Sequence, residues 1–287
     1  MALALVAANA ISAVFEYDFL RRALIAAVLV GITAPAVGVF LVQRRLALIG
    51  DGIGHVAVTG VALGLVLNRA PVAVAVVVAV IGAVAIELVR SLSDTSGEIA
   101  LAVMFYGGIA GGVVLVSKAP TGSRNLTQYL FGTITTTSNG DLVVFGVLAA
   151  VVLAVVLLGG PALFTVSNDE EFARALGLPV LAINLTLAAL TALTVVVSMR
   201  VVGVLLVSAL MVVPVAAAQL FARSFRGTCI GAVLLAVAAA VLGIVVSYAA
   251  DLPSGGTIVL MAIGFFVLAL ATSSLRRLVR SAGGARG

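Results

Sequence analysis

The 287-residue chain has no tryptophan, one cysteine, one histidine and a single lysine, and only 9% of its residues are charged. Soluble domains carry about 25% charged residues. A folded soluble protein must present a wetted, polar exterior, and this chain has too few polar groups to build one. A soluble enzyme is therefore excluded. With 63% hydrophobic residues, a disordered chain is excluded as well. The one cysteine, Cys229, rules out an internal disulfide and a thiolate metal cluster, and its apolar setting reads as packing. The one lysine, Lys118, is followed by Ala-Pro, so there is no Walker A loop and no ATP binding by that route. The first residues lack a basic region and a clear cleavage site, which predicts no secretory signal peptide.

What the chain has is apolar length, with a mean hydropathy of +1.33. A helix crossing a bilayer needs roughly 20 mostly apolar residues. Nine such stretches lie near 20–42, 46–68, 71–90, 97–117, 141–164, 179–198, 200–222, 227–250 and 255–275. Barrel strands would alternate apolar and polar residues, whereas Val72 to Ile86 is apolar throughout. The expectation is an all-α membrane protein of about nine helical segments, some of them broken or re-entrant. Residues 20–275 form a single transmembrane domain, and no stretch is long enough for a separate extramembrane domain. Residues 1–19 end in Glu16, Tyr17 and Asp18 and read as an interfacial segment. Segment 118–139 reads as an external connector with a short half-helix around Tyr129 to Phe131.

The net charge of +5 is no sign of nucleic-acid binding, because the arginines are scattered over loops. Arg276, Arg277, Arg280 and Arg286 mark residues 276–287 as a basic cytoplasmic tail. Counting back places the loop with Arg223 and Arg226, segment 165–178 and the Arg44–Arg45 junction inside, and the N-terminus outside. Glycine pairs at four-residue spacing recur at Gly50/Gly54, Gly60/Gly64, Gly107/Gly111 and Gly108/Gly112, a pattern that lets helix backbones approach closely.

Charged groups inside membrane segments are expensive and mark function. The clearest are Asp51 and His55 in Gly50-Asp51-Gly52-Ile53-Gly54-His55. Their spacing puts both on one helix face. Counted from Leu46, His55 lies roughly 13 Å into the apolar stretch, near the middle of the hydrocarbon. A carboxylate and an imidazole make half of a divalent-cation site, suited to Zn²⁺, Mn²⁺ or Fe²⁺, and a two-fold mate could supply the other half. A pair that only joins helices, or a proton relay, fits the same residues. Glu87 and Glu98 read as interfacial, Glu98 favoured by a helix N-terminus. Asp251 reads as a turn and cap for the last helix, and Arg200 as a snorkelling anchor.

The stretch Ser167-Asn168-Asp169-Glu170-Glu171-Phe172-Ala173-Arg174-Ala175-Leu176-Gly177-Leu178-Pro179 spells a short helix at about 168–177. Ser167 and Glu170 fit a capping box, Glu170 and Arg174 are spaced i,i+4, and Gly177 stops the helix. Two turns are not stable alone. Phe172 and Leu176 form a small apolar face that needs a partner, either an ATPase subunit or the membrane surface.

At these places the chain resembles the permease subunits of zinc, manganese and iron ABC importers. The resemblance is carried by RRLALIGDGIGHVAVTGVALGL at 44–65, NLTQYLFGTI at 125–134, DEEFARALGLPV at 169–180, MRVVGVLLVSALMVVPVAAA at 199–218 and DLPSGGTIVLMA at 251–262. It implies a type II-like importer architecture in the cytoplasmic membrane of a prokaryote. It implies a homodimer, two ATPase chains docked through Asp169, Glu170, Glu171, Phe172, Arg174, Leu176 and Gly177, and an extracytoplasmic metal-binding protein. Asp51 and His55 match the family's acidic and histidine positions in the translocation path. The metal is then cargo, with no permanently bound cofactor and no catalytic residue in this chain. Gly54 departs from the Ser or Ala common before the histidine. A permease for a metal-siderophore or a cofactor, and an ATP-independent secondary metal transporter, are the alternative readings.

Overall fold

In a computed structural model the described residues are 17–92, 97–118, 129–132 and 137–284, and among them there are helices and no strands. The helices are α1 (Asp18–Gln43), α2 (Ile49–Val66), α3 (Pro71–Leu92), α4 (Gly97–Val116), α5 (Asn139–Asn168), α6 (Glu170–Ala175), α7 (Val180–Ser198), α8 (Val204–Gln219), α9 (Phe225–Ala250) and α10 (Ser254–Gly284). In lipid each backbone N–H and C=O must find its partner within the segment, so the apolar runs are helical. Eight helices are long and apolar enough to cross a membrane.

Burial separates centre from periphery. In the most apolar window, 72% of α1, 61% of α7 and 56% of α2 is buried, against 22% for each of α3, α4 and α5. Helix α1 packs on α5, α7, α8 and α9, while α2 packs on α3, α4, α7 and α8. Both central helices are rich in Ala and Gly at their contacts, and that smallness sets the spacing. A Cβ on Gly60 would meet the Ala75 Cα at 2.6 Å, and one on Gly64 the Pro71 Cα at 2.7 Å. The glycine pattern therefore seats α2 on α3. Gly108 and Gly112 seat α4 on α2 in the same way, whereas Gly107 faces open space.

The seventh expected span, 200–222, is only partly helical. Helix α8 has 16 residues, about 24 Å at the helical rise. Residues 199–203 are irregular, and Gly203 adopts φ +88°. Hydropathy counts these residues as membrane-compatible but does not see the turn. Met199, Val201 and Val202 are fully buried, the condition under which a membrane bundle tolerates irregular backbone. The space around Gly203 is closed by the backbone of Leu130, Phe131 and Gly132, and residues 129–131 are helical as expected. Ser254 donates to the Val201 carbonyl at 3.2 Å from the start of α10.

Several local expectations change. Asp251 is the left-handed C-cap of α9 at φ +51°, so it ends that helix and does not start the last one. Arg200 pairs with Asp141, which also closes a capping box with Ser138 at the start of α5, so an ion pair within the chain holds this arginine. The last helix runs through Gly284, so most of the basic tail continues α10. Residues 1–16 and the side chain of Glu98 lie outside the described residues. Cys229 is half-buried against the core, as a packing residue should be.

Candidate functional site

Helix α2 begins at Ile49, three residues later than the apolar run, because residues 44–48 form turns after α1. Asp51 therefore stands in the first turn. His55 follows one turn later, about 9 Å from the helix start and not 13 Å. Both side chains are half-buried, and the Asp51 carboxylate acts electrostatically on the His55 ring. The structure thus keeps the two on one face, as their spacing predicts.

Neighbouring helices hold each of them. The Ser208 hydroxyl on α8 donates to Asp51 Oδ1. This contact exists because Gly50 lets α2 approach α8: a Cβ there would sit 3.2 Å from the Ser208 Cβ. The His55 ring packs edge-on against Phe105 of α4, with centroids 4.4 Å apart at 74°. Gly108 carries the close approach behind it, since a Cβ at that position would meet the His55 carbonyl carbon and the Val56 nitrogen at 2.7 Å. Thr59, one turn above His55, donates to the Gly108 carbonyl at 2.6 Å. Sequence reasoning did not find Ser208, Phe105 or Thr59. The apolar runs around them hide the signal. Among the described residues no group of three or more His, Cys, Asp or Glu side chains converges, and Asp51 and His55 stand as a pair.

The second region is α6. Its cap differs from the expected box: Ser167 is buried inside the last turn of α5, and Asp169 accepts from the Phe172 N–H at 2.9 Å. Gly177 ends the turn at φ +76°, where a side chain would be strained. Ala173 is fully buried against Val166 and Val180. Phe172 and Leu176 point away, 56% and 59% exposed, which leaves the apolar face without a partner among the described residues. Glu171 is exposed, and Arg174 lies 3.5 Å from Glu170 as the i,i+4 spacing predicts.

Glu170 has left the cap for another role. Its Oε1 accepts from Arg44 Nη2 at 2.6 Å, Arg90 Nη2 at 2.9 Å and Asn184 Nδ2 at 3.2 Å. Arg90 also grips Glu87 through two bonds of 2.7 and 3.1 Å. The side chains of Arg44 and Glu87 are 6% and 2% exposed. Glu87, near the end of α3, is therefore buried and paired within the bundle. Burial raises the Glu170 carboxyl, but the hydrogen bond from Arg90, the charges of Arg90 and Arg44 and the Asn184 amide together hold it below the usual carboxylate range. The cluster also gathers the 44–45 junction, the end of α3 and segment 165–178 at one end of the bundle, as the counted topology requires.

This arrangement, a polar pair on a central helix and a pinned short helix at one end, can be set beside known proteins. A profile of the ABC 3 transport family matches residues 16–273. The chain belongs to that family. The manganese import system permease protein ScaB of Streptococcus parasanguinis is 33% identical over 254 residues, covering 88% of this chain and 90% of the relative. The chelated iron transport system membrane protein YfeD of Yersinia pestis is 34% identical over 260 residues, covering 91% and 87%. Among solved structures, PsaBC from Streptococcus pneumoniae in complex with Fab aligns with a TM-score of 0.82 at 31% identity, covering 91% of this chain and 94% of that one. With eight spanning helices, this ABC 3 family member is a multi-pass protein of the cytoplasmic membrane.

Proposed function

We propose that the chain is the membrane-spanning permease subunit of an ATP-driven importer, and that its cargo is a divalent transition metal ion: Zn²⁺, Mn²⁺ or Fe²⁺. The observation that carries the reading is α6: a capped six-residue helix, anchored by Ala173 and Glu170, that offers Phe172 and Leu176 outward. A solitary carrier has no use for such an element. An ATPase on a separate chain does, and the helix lies on the side that the arginines mark as cytoplasmic. Asp169, Glu170, Glu171, Phe172, Arg174, Leu176 and Gly177 make up this docking element.

The cargo reading rests on Asp51 and His55. Mixed oxygen and nitrogen ligands bind transition ions without the closure of a thiolate site, which suits an ion in transit. One chain supplies two ligands, so a homodimer, in which a second copy adds an equivalent pair, completes the set. An extracytoplasmic metal-binding protein delivers the ion from the other side. Metal is cargo throughout, and ATP hydrolysis belongs to the partner chains.

The test is ATP-dependent uptake into proteoliposomes holding the permease with its ATPase, with Zn²⁺, Mn²⁺ and Fe²⁺ assayed in parallel. The reading expects uptake of at least one ion only when ATPase and ATP are both present. Uptake by the permease alone would establish a secondary transporter. Uptake of a siderophore or cofactor complex but of no free ion would establish the other alternative.

A further inference from the structure

The geometry points to Arg44, Arg90, Glu87 and Asn184 as the joint that passes movement of the docking helix to the metal half-site. This inference rests on the docking role proposed for α6.

Helix α6 is cut loose at both ends by its own backbone. Asp169 is extended at φ −153°, ψ 103°, and Gly177 is left-handed. An element flanked by two such breaks could pivot between α5 and α7. Ala173 seats it on α5 and α7 through a small apolar contact. The remaining anchor is one oxygen, Glu170 Oε1, which is shared by groups from three different elements: Arg44 directly after α1, Arg90 on α3 and Asn184 on α7. Arg90 is the bridging member, since its guanidinium holds Glu170 and Glu87 together. Two arginines and two glutamates balance in charge, so the cluster is stable when closed and unstable when any one member withdraws. It acts as one body.

From Arg90 the route continues through packing. Helix α3 is seated closely on α2: a Cβ on Gly82 would lie 2.9 Å from Cγ1 of Val56, the residue after His55, and Gly60 and Gly64 bring α2 into contact with the Ala75 and Pro71 backbone at the other end. Close-packed interfaces of this kind transmit strain; they do not absorb it. Helix α2 carries Asp51 and His55. A shift of α6 thus moves the end of α3, and α3 moves the half-site. The same Glu170 contact takes the shift to α1 and α7, the two most buried spans. A cluster serving only as a staple needs no such distribution over three elements and the docking helix.

The experiment uses the whole importer, permease with ATPase and binding protein, in proteoliposomes, and reads metal transported per ATP hydrolysed. Two variants are compared with wild type. Arg90→Gln removes the bridge. Arg90→Lys keeps the charge but lacks the planar fork that grips two carboxylates at once. The expected result is a complex that assembles and hydrolyses ATP while metal per ATP falls about fivefold or more, the low end of coupling between distant sites, with Arg90→Lys falling less. An unchanged ratio in a variant that assembles overturns the inference. So does failure of both variants to assemble, which makes the cluster a staple. If wild type itself shows no ATP-dependent uptake, the proposed function fails instead, and the two failures are distinguishable.

Discussion

The Ser208 hydroxyl on α8 donates to Asp51 on α2, across a helix pair that Gly50 and Gly54 bring close. A serine buried to 4% exposure thus aims a carboxylate that would otherwise turn among several rotamers. Groups that orient a metal ligand matter nearly as much as the ligand, and losing one typically costs about 10–100-fold in affinity or activity. Ser208→Ala is expected to raise the metal concentration for half-maximal uptake about tenfold or more, with normal membrane levels of the protein. Ser208→Thr, which keeps the hydroxyl, should lie nearer wild type. Uptake titrations with the chosen ion check both.

The glycine faces make a paired prediction. Gly108→Ala drives a methyl into the backbone at His55 and Val56, where nothing flexible can yield. It should lower the melting temperature of the detergent-solubilised protein and abolish uptake through the displaced α2. Gly107→Ala, one residue away, meets open space. It should leave stability unchanged or raise it by up to about 1 kcal/mol, the ordinary helix preference for Ala over Gly. Equal effects at the two positions would contradict the packing described for α4.

Docking through α6 is tested at its exposed face. Phe172→Ala is expected to weaken binding of the ATPase about tenfold, corresponding to about 1.4 kcal/mol for one buried anchor. Arg174→Ala, at an exposed position, should matter less. Retention of the ATPase during co-purification at graded dilution reads the difference. Full retention in the Phe172 variant would exclude that residue as an anchor.

The Glu170 carboxyl also predicts a pH effect. Its folded value lies below the ordinary one of 4.5, so its contribution is complete above that value and is lost as pH falls through the lower folded value. Hydrogen exchange of residues 170–176 should therefore accelerate as pH drops below about 4.5, beyond the intrinsic trend. Glu170→Gln should exchange fast already at neutral pH and show no further acceleration. Parallel curves for the two proteins would count against the ion-pair anchor.

Sequence reading and structure agree where the signal is local. Eight of the nine apolar stretches correspond to helices long enough to span, because hydropathy and length suffice for such a segment, and the ninth, 200–222, holds the shorter α8. Asp51 and His55 were legible because a carboxylate and the only histidine four residues apart stand out in an apolar run. The helix at 170–175 was legible from Gly177 and the acids of its first turn. What stayed hidden was long-range. Arg44 meets Glu170 126 residues away, Arg90 meets it 80 residues away, and Ser208 meets Asp51 157 residues away. No periodicity encodes such pairs, so the buried pairing of Glu87 was not foreseen and Glu170 read as half of a capping box. The shortened α8 was hidden for a different reason: Val201, Val202 and Gly203 are as apolar as a helix, and only the left-handed Gly203 breaks it.

The central claim, that this permease moves a transition metal past His55, is tested most directly by metal content in cells lacking the chain. Zinc, manganese and iron would be measured together after restoring either wild type or His55→Ala at matched membrane levels. The account predicts that wild type restores at least one metal and that His55→Ala does not. It is contradicted if His55→Ala restores that metal as fully as wild type, or if wild type changes none of the three.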